Sequence, residues 1–301
     1  MIDVKPVLFI IGVLLALLGA TMLLPAAFDA VAASPDWSVF VVSSLVTIFA
    51  GVSLVLTTRT AHPTSLSLRH AFLTTTLSWL SVAAFAALPL LFASPHITYA
   101  GAFFEAMSGL TTTGSTVLTG LDTAPPGVLI WRGMLHWLGG IGIIVTSVAI
   151  MPMLRIGGMQ LFRTESSDNS EKIVPRAAQL AAAFGRVYVV MTLACMALLW
   201  AAGMTGFEAL VHAMATVSTG GFSTSDASIG HFDSPLIEMI IVVFMIGGAL
   251  PFVLYIRVLG QDRDALWRDT QVRAFFLAIL VWTVTLSLWL VLHEHVAPLQ
   301  A

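Results

Sequence analysis

Seven long apolar segments divide this chain and limit what it can fold into. Each is close to the roughly 20 residues that an α-helix needs to cross a bilayer. The segments are 6–25, 38–58, 70–92, 127–151, 178–202, 235–257 and 272–293. Only 10% of the 301 residues are charged, whereas a soluble domain carries about 25%. We therefore predict an all-α polytopic membrane protein that is embedded in lipid by about seven transmembrane helices.

Two shorter apolar segments, 100–111 and 206–217, are too short to span a bilayer. The first leads into the sequence AMSGLTTTGST and the second into AMATVSTGGFS, so Gly114 of the first copy matches Gly221 of the second. Both copies follow one long apolar segment and precede another. This pattern predicts two half-length helices, each followed by a loop of Thr, Ser and Gly.

The distribution of lysine and arginine favours loops that re-enter the membrane. If the N-terminus is cytoplasmic and both short segments return to the side they entered, all 13 basic residues except Arg132 lie on the cytoplasmic side. If the short segments spanned instead, the basic clusters at 155–176 and 257–273 would lie on opposite sides. Because cytoplasmic loops carry the excess of Lys and Arg, we predict two re-entrant loops and a cytoplasmic N-terminus.

Acidic residues lie on the predicted outer side. They are Asp29, Asp36, Glu105, Asp122, Glu208, Asp226, Asp233, Glu238 and Glu294. An acidic pore mouth would concentrate cations. For any single residue, a solvated loop charge is the simpler interpretation.

The chain contains an internal repeat of long helix, half-length helix, loop and long helix. The first copy covers 70–151 and the second 178–257; two accessory helices precede them within 1–60, and 272–301 would begin a third copy. Both copies have the same orientation, which predicts a parallel helix–pore–helix repeat about an axis along the membrane normal. After the loops, HWLGG of the first copy corresponds to FMIGG of the second, and these glycines are predicted to pack closely or act as hinges.

The composition of the two loops suits an ion filter. Non-helical backbone at membrane depth persists only when it is buried in protein or lines a water-filled cavity. Glycine allows successive carbonyls to turn to one side, and rings of carbonyls can replace the hydration shell of a cation. Close helix packing also favours small residues, but two such loops in register favour a filter.

Four stretches resemble the potassium-uptake proteins of the Trk/Ktr/HKT superfamily, and most closely the bacterial membrane subunits of the TrkH type. They are FFEAMSGLTTTGSTVL, WRGMLHWLGGIGIIV, IMPMLRIGGMQLFRTE and HAMATVSTGGFSTSDASIG. The resemblance implies the ion-translocating subunit of a potassium uptake system in the bacterial inner membrane. The K⁺-binding filter residues that it implies are Thr112, Thr113, Gly114, Ser115, Thr219, Gly220, Gly221 and Phe222.

The resemblance also implies partners and a longer pore. Members form homodimers and bind a cytoplasmic nucleotide-binding regulatory subunit of the TrkA type. They carry four repeats around one pore, so the two loops seen here are expected to be half of a filter and the chain a fragment. K⁺ is the transported ion, and its preference over Na⁺ rests on the resemblance. Channel-like and H⁺- or Na⁺-coupled transport both stay open.

Other function classes have weaker support in the residues. The sequence contains no HExxH and no Walker A motif, so we expect neither an enzyme nor a bound cofactor. His136 and His212 lack metal-ligand spacing and are expected to form hydrogen bonds. The net charge of −3 gives no indication of a nucleic-acid partner. The alternatives are a non-conducting membrane scaffold or receptor and, with less support, an intramembrane enzyme.

Overall fold

The computed structural model describes residues 3–59, 68–154, 173–260 and 262–293, and within these ranges it contains helices and no strand. The predicted all-α class is therefore confirmed for the described residues. The helices are α1 Lys5–Thr21, α2 Leu23–Val31, α3 Trp37–Thr58, α4 Leu68–Phe92, α5 Tyr99–Leu110, α6 Pro126–Leu154, α7 Ile173–Ala201, α8 Gly206–Val217, α9 Pro235–Ala249, α10 Phe252–Leu259, α11 Ala265–Arg268 and α12 Thr270–His293.

Several of these helices are long and apolar enough to cross a membrane. Among the described residues there are five such spans: Lys5–Val31, Trp37–Thr58, Arg69–Phe92, Gln179–Ala201 and Thr270–His293. Counting α9 and α10 together as one span gives six. The predicted segment 127–151 lies within the helix α6. The exact number of crossings stays a prediction.

The predicted span 235–257 is not one continuous helix. Helix α9 ends at Ala249, and the next helix begins at Phe252 after Pro251. Proline has no amide hydrogen, and its ring clashes with the preceding turn, so it favours a kink or a break in a helix. Most of the basic cluster at 155–176 lies outside the described residues.

The two half-length helices are present where the sequence predicts them. Helices α5 and α8 have 12 residues each. The Thr98 hydroxyl accepts a hydrogen bond from an amide in the first turn of α5. At α8, Thr205 and Glu208 form a reciprocal capping box. These caps satisfy first-turn amides that would otherwise lack partners and so fix where each helix starts.

The structure divides into two compact units, Met1–Ala249 and Leu250–Ala301. In the first, the accessory helices α1 and α3 approach closely because Gly12 and Gly51 face each other: a Cβ on Gly12 would lie 2.8 Å from the Gly51 carbonyl oxygen. The core of this unit continues through α6, where the Trp131 indole donates to the Ala86 carbonyl at 3.0 Å. The second unit has its own small core of Leu250, Leu254 and Val272.

Candidate ion-conduction site

Helix α5 ends in a tight backbone motif that turns the chain sharply into the first loop. The Thr112 amide donates to the Gly109 carbonyl at 3.1 Å, and the Thr113 amide donates to the Ser108 carbonyl at 2.9 Å. Thr112 has a φ of +57°. This pair of hydrogen bonds around a left-handed residue is the Schellman motif that ends many helices.

Helix α8 ends in the same motif. The Thr219 amide donates to the Thr216 carbonyl at 2.9 Å, and the Gly220 amide donates to the Ala215 carbonyl at 2.8 Å. Thr219 has a φ of +56°. Glycine usually occupies this position, and a β-branched residue there is a strained outlier. Its occurrence at both helix ends indicates that the surrounding structure imposes the same loop conformation twice.

Each loop has a second left-handed residue, two positions after its threonine. Gly114 has a φ of +78° and Gly221 a φ of +97°. Both loops therefore alternate between left-handed and other backbone conformations. Glycine adopts such angles without steric cost, so its presence at both positions follows from the backbone.

The two loops touch at the predicted filter residues. A Cβ atom on Gly114 would overlap the carbonyl oxygen of Gly220. Gly114 is therefore required both by its backbone angle and by the close approach of the second loop. For Gly221, no described atom outside its chain neighbours lies within 4 Å of a built Cβ, so only the angle favours glycine. The structure thus brings the predicted residues 112–115 and 219–222 together.

The Phe222 side chain anchors the second loop to α6. Its ring is only 2% exposed and stacks on the His136 ring, with centroids 4.1 Å apart. The Arg132 Cζ atom lies 4.1 Å from the centroid of the same ring. Of the eight predicted filter residues, Phe222 is thus one whose side chain packs against a helix, which leaves its backbone to shape the loop.

A buried ion pair connects α6 with both loops. Arg132 Nε donates to Glu105 Oε1 at 2.8 Å, Nη1 to the Ser223 carbonyl at 2.9 Å and Nη2 to the Thr116 hydroxyl at 3.2 Å. Arg132 and Glu105 are 1% and 0% exposed. The interpretation of Glu105 as a solvated outer charge is therefore wrong. The only signal in the sequence for this burial was Arg132, the one basic residue that the charge distribution did not place on the cytoplasmic side.

Each loop is also fastened by a hydroxyl to its own half-helix. The Thr116 hydroxyl donates to Glu105 Oε1 at 2.9 Å, and the Ser223 hydroxyl lies 3.0 Å from His212 Nε2. Each hydroxyl in addition accepts a hydrogen bond from the amide two residues further on, at 3.1 Å and 3.2 Å. The two copies of the predicted repeat are therefore alike also in the hydrogen bonds that hold their loops.

Two glycines allow helices α6 and α9 to pack directly against the C-terminal ends of α5 and α8. A Cβ on Gly139 would overlap the Leu110 carbonyl oxygen, and a Cβ on Gly248 would overlap the Val217 carbonyl oxygen. Leu110 and Val217 are the last residues of α5 and α8. These contacts confirm the predicted packing role. They match Gly139 with Gly248, whereas the sequence comparison aligned it with Gly247.

Further acidic residues bind the segment that follows the first loop. Asp226 accepts hydrogen bonds from the Gly120 amide at 2.8 Å and the Leu121 amide at 3.2 Å. A hydrogen bond with the Ser225 side chain lowers the pKa of the exposed Asp122. In the described part of the chain, no group of three or more His, Cys, Asp or Glu is placed to bind a metal ion.

Asp29 is a second exception to the predicted solvated acids. It is fully buried, and its Oδ1 accepts a hydrogen bond from the Gly127 amide at 2.6 Å. Gly127 lies in the first turn of α6, where amides lack partners within the helix and a carboxylate is favoured. The correction has a clear reason: Asp29 caps the helix that carries Arg132 and His136.

The model of the family described as "TrkH: Cation transport protein" matches residues 37–297. The chain belongs to the TrkH family. It is 42% identical to the Trk system potassium uptake protein TrkI of Halomonas elongata over 286 residues, which are 94% of this chain and 58% of that relative. It is 41% identical to the Trk system potassium uptake protein TrkH of Escherichia coli K12, covering 93% of this chain and 59% of the relative.

A solved structure is also similar to this TrkH family member. The crystal structure of the potassium transporter TrkH from Vibrio parahaemolyticus matches with a TM-score of 0.88 and 35% identity, over 99% of this chain and 61% of that one. The chain therefore spans about three fifths of the length of these relatives. Its family is one of transport proteins and not of enzymes, and its apolar helices fit a multi-pass membrane protein.

Proposed function

We propose that this chain is the ion-translocating part of a Trk-type potassium uptake system. In this proposal, K⁺ passes through a filter of backbone carbonyls and threonine hydroxyls from residues 112–115 and 219–222. The relatives are potassium uptake proteins, which supports the choice of ion. The observation that carries the proposal is the pairing of two loops with the same backbone motif, which touch at Gly114 and Gly220.

The hydrogen bonds of the two motifs turn loop carbonyls in a direction that suits ion binding. The amides of Thr113 and Gly220 donate back into α5 and α8. In a planar trans peptide, the preceding carbonyl points opposite to the amide hydrogen. The carbonyls of Thr112 and Thr219 therefore point away from the helix ends. Such oxygens can replace the water molecules around a monovalent cation.

The half-helices supply a favourable potential at the same place. A helix of 12 residues is about 18 Å long, which is shorter than the roughly 30 Å hydrocarbon core. Re-entrance of α5 and α8 from the outer side would place their C-terminal ends inside the membrane. Those ends carry the negative end of the helix dipole, which stabilises a cation in front of the loops.

The wider arrangement follows the family resemblance. The units are the accessory helices in 1–60, the repeats 70–151 and 178–257, and the start of a further repeat in 272–301. Further loops would complete the ring of carbonyls around the ion. We propose a homodimer in the bacterial inner membrane, with a cytoplasmic N-terminus, a TrkA-type nucleotide-binding regulatory partner and no resident cofactor.

Growth at low potassium tests the proposal. The full reading frame that encodes this chain is expressed in a bacterial strain that lacks its own potassium uptake, with Gly114→Ser and Gly221→Ser as variants. Gly230→Ser is the matched control, because no described atom crowds a Cβ there and its φ is not in the left-handed range. We expect the parent and control to restore growth and the filter variants to fail.

Two results would contradict the proposal. One is normal growth and ⁴²K⁺ uptake when both filter glycines are replaced, which would exclude these loops as the filter. The other is absence of potassium uptake by the parent protein at normal membrane levels, which is what a non-conducting scaffold or receptor predicts. Quantifying each variant in the membrane fraction separates lost transport from lost protein.

A further inference from the structure

We propose that His136 is a positioning residue that sets ion selectivity by fixing the direction of the Gly221 carbonyl. The inference rests on the proposed function, because it needs Gly221 to be part of an ion filter. It goes further by assigning a selectivity role to a side chain on α6, outside both loops. The proposal is argued from the contacts that this ring makes with the end of α5 and with the second loop.

The hydrogen bonds of His136 determine its tautomer. Nδ1 lies 2.8 Å from the Gly109 carbonyl oxygen, and the Phe222 amide donates to Nε2 at 3.2 Å. A carbonyl oxygen can only accept, so Nδ1 carries the hydrogen; an amide can only donate, so Nε2 has the free lone pair. The ring is therefore neutral and bridges the end of α5 and the second loop.

The bond to Phe222 determines which way the preceding carbonyl points. Residues 221 and 222 share one planar peptide group, in which the N–H of Phe222 and the C=O of Gly221 point in opposite directions. Because the N–H points to His136 on α6, the Gly221 carbonyl points away from α6. Gly221 itself is exposed, so this carbonyl faces the open side of the loop.

Gly221 needs such an external constraint. Its φ is +97°. Glycine adopts this conformation and several others at similar energy. Rotation of the 221–222 peptide would therefore meet little resistance from Gly221 itself. The hydrogen bond to His136 selects one of these conformations, which a filter needs in every copy of the protein.

The ring also fits this position tightly. A Cβ on Gly220 would overlap the His136 ring, and the ring stacks on Phe222 at an interplanar angle of 15°. On the other side of the ring, its Nδ1 is fixed by the Gly109 carbonyl of α5 at 2.8 Å. His136 is therefore held between the end of α5 and the second loop, so its nitrogens have little freedom to move.

Two substitutions separate hydrogen bonding from space filling. His136→Phe keeps an aromatic ring for the stack on Phe222 but removes both nitrogens. His136→Gln loses the ring, yet its amide still offers one donor and one acceptor. Each is introduced into the full reading frame, purified and reconstituted into liposomes, and the ratio of K⁺ to Na⁺ uptake is measured. His96→Phe and His96→Gln are matched controls, because His96 is exposed.

We expect His136→Phe to lower the K⁺/Na⁺ ratio by about tenfold, the change that corresponds to the loss of roughly one hydrogen bond. We expect His136→Gln to stay within about threefold of the parent, since one hydrogen bond of lower quality replaces the original. The two control variants should match the parent. A purely space-filling role predicts the reverse order, with Gln worse than Phe.

Three outcomes can be told apart. An unchanged ratio in His136→Phe, or an equal loss in His136→Gln, would overturn the role of His136 while the proposed function stands. Lack of potassium preference in the parent would overturn the proposed function itself. If His136→Phe does not reach the membrane, His136→Leu takes its place: Leu and Gln both lack the ring, so a lower K⁺/Na⁺ ratio in His136→Leu than in His136→Gln isolates the hydrogen bonds, and equal ratios would overturn the role of His136.

Discussion

Glu105 and His212 lie at equivalent positions of the two half-helices, and each forms a hydrogen bond with a hydroxyl 11 residues further along the chain. The same anchor is thus built once with a carboxylate and once with an imidazole. The carboxylate is fully buried and has Arg132 as its partner. The hydroxyl of the first loop is therefore bonded to one member of a charge pair, whereas that of the second loop is bonded to an imidazole.

This difference makes Glu105→Gln a strongly destabilising substitution. It would leave the Arg132 guanidinium buried without its counter-ion, and removing one partner of a buried pair costs about 3–5 kcal/mol. We expect a clearly lower midpoint of thermal unfolding in detergent, measured by tryptophan fluorescence. Loss of potassium uptake should accompany it, because Arg132 also binds the Ser223 carbonyl of the second loop.

An exposed ion pair of the same chain supplies the control for Glu105→Gln. Arg257 and Asp262 are 2.6 Å apart, with side chains that are 53% and 39% exposed. Solvent screens such a pair, so Asp262→Asn should cost less than about 1 kcal/mol. Equal changes in the unfolding midpoint for Glu105→Gln and Asp262→Asn would contradict the structural role of the buried pair.

The two glycines of the proposed filter should differ in their tolerance of alanine. Gly114→Ala adds a methyl group that overlaps the Gly220 carbonyl, in addition to an unfavourable φ. Gly221→Ala meets only the unfavourable φ, a strain of about 1–2 kcal/mol. We expect potassium uptake to be abolished by Gly114→Ala and reduced by Gly221→Ala, with Gly230→Ala as the control. A more severe effect of Gly221→Ala would contradict this order.

The half-helices and their loops could be predicted from the sequence because the signal is local. Helix length, the composition of the loops and the repeat all point to the same two places, and α5 and α8 lie within one residue of the predicted segments. Pro251 is also present in the sequence, but it lies inside the long apolar segment 235–257, which predicts a single span. Apolarity alone carries no information about a break in a helix.

The contacts that hold the loops could not be predicted in the same way. Charge counting assigned Glu105 to a side of the membrane, but it could not show that α6 brings Arg132 to it. The family resemblance marked Phe222 as a filter position without indicating that its ring packs on His136. Both relationships depend on the approach of distant segments, which neither hydropathy nor loop composition encodes.

The exposed acid Asp122 should make a small, pH-dependent contribution to stability. Its pKa is lowered from the ordinary 3.8, chiefly by a hydrogen bond with the Ser225 side chain. A lowered pKa in the folded state stabilises the protein above the unfolded-state value, and this stabilisation is lost as the pH falls through the folded-state value. Ser225→Ala should therefore reduce the unfolding midpoint at neutral pH.

The pH dependence distinguishes this effect from simple loss of packing. The difference between parent and Ser225→Ala should shrink as the pH falls below the lowered pKa of Asp122, since the carboxyl is then protonated in both proteins. In the Asp122→Asn background, Ser225→Ala should show no such pH dependence. A difference that persists unchanged at acidic pH would indicate that Ser225 acts without Asp122.

Alanine at three helical glycines tests whether α6 and α9 must touch the half-helix ends. At Gly139 and Gly248, the added methyl group would push against the last carbonyls of α5 and α8. At Gly185 in α7, no described atom lies within 4 Å of a built Cβ, so alanine should be neutral or stabilise the helix by up to about 1 kcal/mol. We therefore expect Gly139→Ala and Gly248→Ala to lower the unfolding midpoint and potassium uptake together, while Gly185→Ala changes neither adversely. Equal tolerance at all three positions would mean that the two loops do not depend on this contact.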